Sequence, residues 1–488
     1  MTSQRGALRS RPLIAGGVLL AVAALVASSV TVDPTSPGIT SAPDTPAVTV
    51  VDDPSVPSSV LVSRTLFDSA STAVVLSENA GDSERRKAID VASANKIPVL
   101  QIDDAGPAPV AAELSRLDVD QVIGIGPGLP DLGVPAADSE SATGAIPSAT
   151  ATADRLVLVA GGVDALATAE AAGVTAVGVP IADPRSSGEA VAALKEDPDR
   201  PVLAIGAFGN EKTAGDRIAA ARTVPELPGG GQIVFPGRRM VALYGSPGGA
   251  DLGPLGAQGI DASIRRIRRV AEPYKRLSDE TVVPAFEIIV TVASADPGYQ
   301  GKYTNIIDPE VIRPWIDAAG RAGVYVTLDL QPGRMDFLTQ AKMYRDLLKE
   351  PHVGLALDPE WRLKPKQVHL TQIGSVDPAE VNKTADWLAD LVRTENLPQK
   401  VFVLHQFDAD MLGDRSLLDT SHPELATVIH ADGHGTPTVK RATYERIVDG
   451  LPPNVWLGWK NFYKEDKPMF SPRQTLRVRP EPWFISYQ

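Results

Sequence analysis

The sequence predicts an α/β chain with two folded parts, a duplicated parallel-sheet βα region and a C-terminal (β/α)8-like barrel. Three observations predict it. Short β-branched runs alternate with alanine-rich segments of helical period from Leu61 to Leu227, and part of that pattern recurs at an offset of about eighty residues. A second βα series of different composition runs from Met240 to the end. All six tryptophans and all six histidines lie at or beyond Trp315. That confines indole faces and neutral-pH proton-transfer groups to the second series. At 488 residues the chain is too long for one core.

Composition narrows the function classes. The net charge of −13 argues against a nucleic-acid partner, which selects a basic face. The absence of cysteine removes disulfides, thiolate metal sites and cysteine nucleophiles. Residues 1–32 read as a signal peptide or signal anchor. Arg5, Arg9 and Arg11 precede the uncharged apolar run Leu13 to Val32, close to the roughly twenty residues that span a bilayer. Small residues around Val26-Ala27-Ser28 could be cleaved, so secretion and single-span anchoring both stay open. Membrane contact is expected only through this segment. Residues 33–60 carry Pro34, Pro37, Pro43, Pro46, Pro54 and Pro57 without a Lys or Arg, and read as an extended spacer.

In the region 61–227 the expected strands are Ala73–Leu76, Ile97–Ile102, Gln121–Gly126, Arg155–Ala160, Val174–Val179 and Pro201–Gly206. Helical segments centred on Ser83–Ala92, Val110–Leu114, Ala165–Ala172 and Ala190–Leu194 separate them. Strands apolar on both faces alternating with helices imply parallel sheets. Gly124-Ile-Gly-Pro-Gly128 and Gly161-Gly162 match neither G-x-G-x-x-G nor a P-loop, so no nucleotide cofactor is expected. The strand "PVLQIDD", the helix "APVAAELSRL" and the following "DQVIGIG" resemble the cell-wall-binding repeat type 2 domain of Gram-positive surface proteins. The resemblance covers about 150 residues, and implies non-covalent attachment to cell-wall polymers.

Over 236–488 the expected strands are Met240–Tyr244, Ala285–Val292, Val324–Leu330, Val353–Leu357, Val401–His405, Thr427–His430, Val455–Trp459 and Pro482–Ser486. Helices are expected at Pro309–Ala322, Asp336–Lys349, Pro378–Thr394 and Val439–Asp449. Seven or eight such units in about 250 residues suggest a (β/α)8 barrel, with an open doubly wound sheet as the alternative.

A polar group ends nearly every strand, where such barrels carry their chemistry. Asp358 and Glu360, with Asp329 in support, are the expected catalytic carboxylates. If the strand runs past Pro359 they share a face roughly 6.6 Å apart, as glycoside hydrolysis requires. Tyr244, Gln331, Trp361, His405, Asp432, His434, Trp459 and Lys460 are the expected substrate-binding residues. Trp456, Tyr463 and Trp483 are further candidates for stacking on sugars, and Trp315 and Trp387 read as core. His430-Ala-Asp432-Gly-His434 could instead hold a metal, although no metal or cofactor is expected. Glu287 falls early in its strand and reads as a minor candidate; His352, His369 and His422 read as surface residues. The whole chain resembles exported actinobacterial envelope proteins that join a wall-binding region to a glycosidase-like barrel. That resemblance implies an extracytoplasmic envelope protein acting on cell-wall polysaccharide or a peptidoglycan-associated glycan. Two alternatives remain: a non-catalytic wall-binding protein with a vestigial sugar cleft, and a metal-dependent hydrolase.

Overall fold

A computed structural model of the chain describes residues 48–138, 145–148 and 154–488. The expected signal or anchor segment and residues 33–47 of the expected spacer lie outside them. No described helix is long and apolar enough to cross a membrane. Thr45–Gln488 forms one compact unit.

The N-terminal region runs β1 (Val48–Val51), α1 (Ser58–Leu66), β2 (Phe67–Ala70), β3 (Thr72–Leu76), α2 (Asp82–Asn95), β4 (Val99–Gln101), α3 (Ala108–Arg116), β5 (Gln121–Ile125) and β6 (Ala145–Pro147). It continues through β7 (Leu156–Val159), α4 (Val163–Ala171), β8 (Thr175–Gly178), α5 (Gly188–Glu196), β9 (Val202–Ile205) and α6 (Glu211–Thr223). Two parallel sheets result, ordered β4-β3-β5 and β1-β9-β7-β8. Within each three-strand set the first strand is central and the second and third flank it. The expected strands and helices of this region all form. The spacer ends earlier than its prolines suggest. Val48-Thr-Val-Val51 is β-branched enough to pair with β9, and α1 buries Val60, Leu61 and Val62, so folded chain begins before Leu61.

The C-terminal region runs β10 (Arg238–Gly245), α7 (Ile260–Lys275), β11 (Thr281–Ala293), β12 (Thr304–Ile306), α8 (Pro309–Arg321), β13 (Tyr325–Leu330), α9 (Phe337–Met343), α10 (Arg345–Leu348) and β14 (Val353–Leu357). Then follow α11 (Pro378–Thr394), β15 (Lys400–Gln406), β16 (Leu425–Ala431), α12 (Pro437–Val448), β17 (Trp456–Asn461), α13 (Pro472–Thr475) and β18 (Phe484–Tyr487). β10 pairs in parallel with both β11 and β18, and this closes an eight-stranded all-parallel barrel. β12 adds antiparallel to the end of β11. The expected helix Asp336–Lys349 breaks at Tyr344, whose hydroxyl donates to the Val290 and Ile307 carbonyls. The helix α7 buries Ile264, Ile267, Ala271 and Tyr274 at helical spacing against the strands.

Side chains of a strand alternate between faces. Val241, Leu243, Phe286, Ile288, Leu355, Phe402, Leu404 and Ile429 point outward to the helices. Met240, Ala242, Val283, Ala285, Tyr325, Ala356, Val401, Val403, Ala426, Val428 and Phe484 fill the interior. Its N-terminal end is closed by Phe235, from the segment joining the two regions, whose ring meets Trp456 at 5.3 Å and Trp483 at 5.8 Å. These two tryptophans therefore sit at the end opposite to any sugar cleft.

Candidate active site

Continuing the inward alternation places a polar side chain at one level of every barrel strand, at or near the C-terminal end of all but the long β11: Tyr244, Glu287, Asp329, Asp358, His405, His430, Lys460 and Ser486. All eight are buried. Asp358 stands one residue beyond β14, where Pro359–Trp361 forms a 3-10 turn rather than further strand. The expected strand-like Asp358–Glu360 pair is thereby corrected: proline cannot extend the ladder, and the turn sets how the two carboxyls face.

His405 is the hub. Its Nε2 lies 2.8 Å from Glu287 Oε1 and its Nδ1 3.1 Å from Asp432 Oδ2, with Asp329 Oδ1 3.9 Å from Nε2. Burial alone would lower its pKa, but Glu287 and Asp432 outweigh burial and hold it well above its ordinary value. His405 is thus an imidazolium donating both N–H groups. The His430 ring stands 4.9 Å from it. Burial and then the His405 charge hold His430 well below its ordinary value, and its Nε2 meets Ser486 Oγ at 3.0 Å. Adjacent histidines therefore carry opposite protonation.

The carboxyls divide in the same way. Burial works against ionised Asp432, but the hydrogen bond from His405 prevails and keeps its pKa low. Burial, followed by the like charge of Glu360, pushes Asp358 well above the usual range. Burial and then the Asp432 charge raise Glu360 to about 7. Burial, aided by Glu287 and opposed by His405, raises Asp329 to about 6; Asp329 accepts a 2.9 Å hydrogen bond from the Tyr244 hydroxyl.

Above this layer opens a cavity of about 520 Å³. Tyr244, Gln331, Asp358, Glu360, Trp361, Asp432, His434 and Lys460 line it, all of them expected from the sequence. Asp329 and His405 lie beneath the lining and act on it through Tyr244 and Asp432. Trp459 does not belong to the site. Lys460 faces inward, so its neighbour Trp459 must face outward; it is buried beside Tyr444 and stacked on Phe470. Tyr463 packs on Arg266 and Tyr487 away from the lining. His369, expected at the surface, packs edge-on against Trp361 at 5.4 Å.

Glu287 is the main residue that sequence reasoning undervalued. β11 spans Thr281–Ala293, and Glu287 pairs in register with Tyr244, so mid-strand on this long element is level with the site. Ser486 was also missed; its inward parity with Phe484 was the available signal.

The donor set does not fit a metal at His430, Asp432 and His434. His430 is engaged by Ser486 inside the barrel, whereas His434 is exposed beyond Gly433 with its ring 5.6 Å from Phe462. Among the described residues, three ligand atoms lie within 4.8 Å of one another only at Asp386, Asp419 and His422, a different surface group. What the site does offer is acceptors. Glu287 Oε2, Asp329 Oδ1, Asp358 Oδ1 and Asp432 Oδ1 are buried without a donor, a condition that native interiors rarely leave unmet. Asp358 and Asp432 are also lining residues of the cavity. Compared with known proteins, the chain matches no family, no curated protein and no solved structure.

Proposed function

We propose that the chain is a cell-envelope glycan hydrolase in which Glu360 is the general acid and Asp432 the ionised carboxylate. The observation that carries this reading is the opposed shift of two carboxyls lining one cavity, Glu360 upward to about 7 and Asp432 downward. Environments that push two titratable groups apart assign acid and base roles. Asp358 and Glu360 are both pushed upward, so they cannot divide that labour between themselves. Asp358 instead serves as a protonated donor to the substrate.

In this mechanism Glu360 protonates the glycosidic oxygen as the bond to the anomeric carbon breaks. Asp432, held by His405, attacks that carbon or takes a proton from the attacking water. Trp361 supplies an apolar face for a sugar ring. The barrel is read as a (β/α)8 type, whose chemistry is built at the C-terminal ends of its strands. The repeated strand order of the N-terminal region is read as a duplication that attaches the protein to wall polymers, after export directed by residues 1–32.

The test uses the full chain and its Glu360→Gln and Asp432→Asn variants on purified wall polysaccharide and peptidoglycan, reading released reducing ends. Each variant is expected to lose about 10²–10⁴-fold in turnover while keeping its binding. Wild-type protein that neither binds nor cleaves any of these polymers overturns the reading. Binding without wild-type turnover establishes the vestigial cleft instead, and chelator-sensitive turnover the metal-dependent alternative.

A further inference from the structure

Lys460 is one of two cationic side chains lining the cavity, with Arg446, and the one seated on the acidic layer at its floor. Only 3% of the residue is exposed, yet among the described residues its ammonium forms no ion pair and no hydrogen bond. Its nearest partners are rings: Nζ lies 3.6 Å from the Tyr244 centroid and 5.5 Å from that of Phe462. An ammonium on aromatic faces retains attraction from those faces but leaves its three N–H donors unused. The ammonium is open to the cavity that Lys460 lines.

The neighbouring buried lysine shows the contrast. Lys440 Nζ donates to the Gly433 and Lys460 carbonyls and pairs with Asp466 Oδ2 at 2.8 Å. Lys440 is therefore a structural cation with every partner supplied by the chain. Lys460 faces a space in which water or a ligand can supply the partner.

The surrounding carboxyls act on it only at longer range. The Lys460 charge works to lower the pKa of Asp329, Glu360 and Asp432. Yet Asp432 is hydrogen-bonded by His405 and Asp329 by Tyr244, and among the described residues no carboxylate reaches ion-pair distance of the ammonium. Burial and then the Glu360 charge raise Asp358, and burial and then the Asp432 charge raise Glu360 although Lys460 opposes it. Tyr244 carries its hydroxyl to Asp329 while its ring underlies Lys460. The same side chain thus braces the acidic layer and seats the cation above it.

We propose that the cavity takes a glycan unit bearing an anionic substituent, a carboxylate or a phosphate, which seats on the Lys460 ammonium. This rests on the glycan reading of the site and names its substrate class. Neutral glucans and fully acetylated, uncharged amino-sugar polymers would leave Lys460 without an anionic partner and bind less well.

The experiment measures binding by full-length protein, using isothermal titration with three probes: a uronic-acid oligosaccharide, its carboxyl-reduced counterpart and a phosphodiester-linked polyol polymer. Wild type is expected to prefer at least one anionic probe to the carboxyl-reduced probe by about ten- to a hundredfold, the range of one charge-assisted hydrogen bond. Lys460→Met should abolish that preference, and Lys460→Arg should retain part of it. Which anionic probe is preferred identifies carboxylate or phosphate. Equal wild-type affinity for charged and uncharged probes overturns this inference and leaves the glycan reading standing. So does a preference that survives in a folded Lys460→Met protein. If no carbohydrate probe binds at all, the glycan reading itself fails and this inference with it. If Lys460→Met does not fold, the Lys460→Arg protein and the salt dependence of wild-type preference decide, since an ionic contact weakens with added salt.

Discussion

The N-terminal βα region and the barrel are both built largely from buried parallel strands, but many of their buried carboxylates end in opposite conditions. In the N-terminal region Glu113 is fully buried and accepts from Ser63 Oγ at 2.6 Å and from Arg116 at 2.8 and 2.9 Å, with Arg64 at 3.4 Å. Asp183 is paired with Arg185 and Arg217. Among the described residues, the carboxylate oxygens left buried without a donor all belong to the C-terminal region, and four of them, on Glu287, Asp329, Asp358 and Asp432, gather at one end of the barrel. Charge that completes its own contacts serves the fold. Charge that leaves acceptors open lowers stability locally and reserves them for a ligand.

The comparison breaks first at His405. His405→Ala removes the only cation bonded to both Glu287 and Asp432, and should cost about 3–5 kcal/mol because charge is left buried and unpaired. Urea denaturation measures this; a cost of only a few tenths would show that the two carboxylates had not depended on the imidazolium. Next in size is Glu113→Ala, expected to cost about 1–3 kcal/mol. Arg116 and Arg64 are partly exposed and can rehydrate once it is gone. A larger loss there than at His405 would invert the contrast between the regions.

The shallowest effect is on pH dependence. The folded pKa of Glu360, about 7, lies above its ordinary 4.5, and that of Asp329, about 6, above 3.8. The native state therefore holds these protons longer than the unfolded chain does. Their contribution to stability is full below those ordinary values and declines as pH rises through about 6 and then 7. Glu360→Gln should flatten the upper part of that decline in denaturation midpoints recorded from pH 4 to 8. An unchanged profile would place the Glu360 carboxyl in water.

Much of this was legible in the sequence. β-branched runs marked the barrel strands because a strand covered on both faces has to be apolar throughout. The polar residue ending each run marked Tyr244, Asp358, Asp432 and Lys460. Trp459 was misplaced although the strict two-residue alternation already excludes it once Lys460 faces inward. Glu287 was not legible in the same way. Its height in the barrel depends on how long β11 is and on its register against β10, and both are set by pairing partners far along the chain. Nor could the opposed protonation of His405 and His430 be read from their matching positions on adjacent strands. It arises from which carboxylates reach each ring.

Phe235 plugs the barrel from a segment that also binds its neighbours on both sides. Gln232 donates to the Ala221 and Val224 carbonyls at the end of α6, and Gln399 bonds Gln232 and Val234. The connection between the regions is thus a rivet rather than a hinge. Wherever the N-terminal region is held, the direction in which the cavity opens is fixed with it. Whatever enters the cavity would then have to approach along a direction set by the N-terminal region.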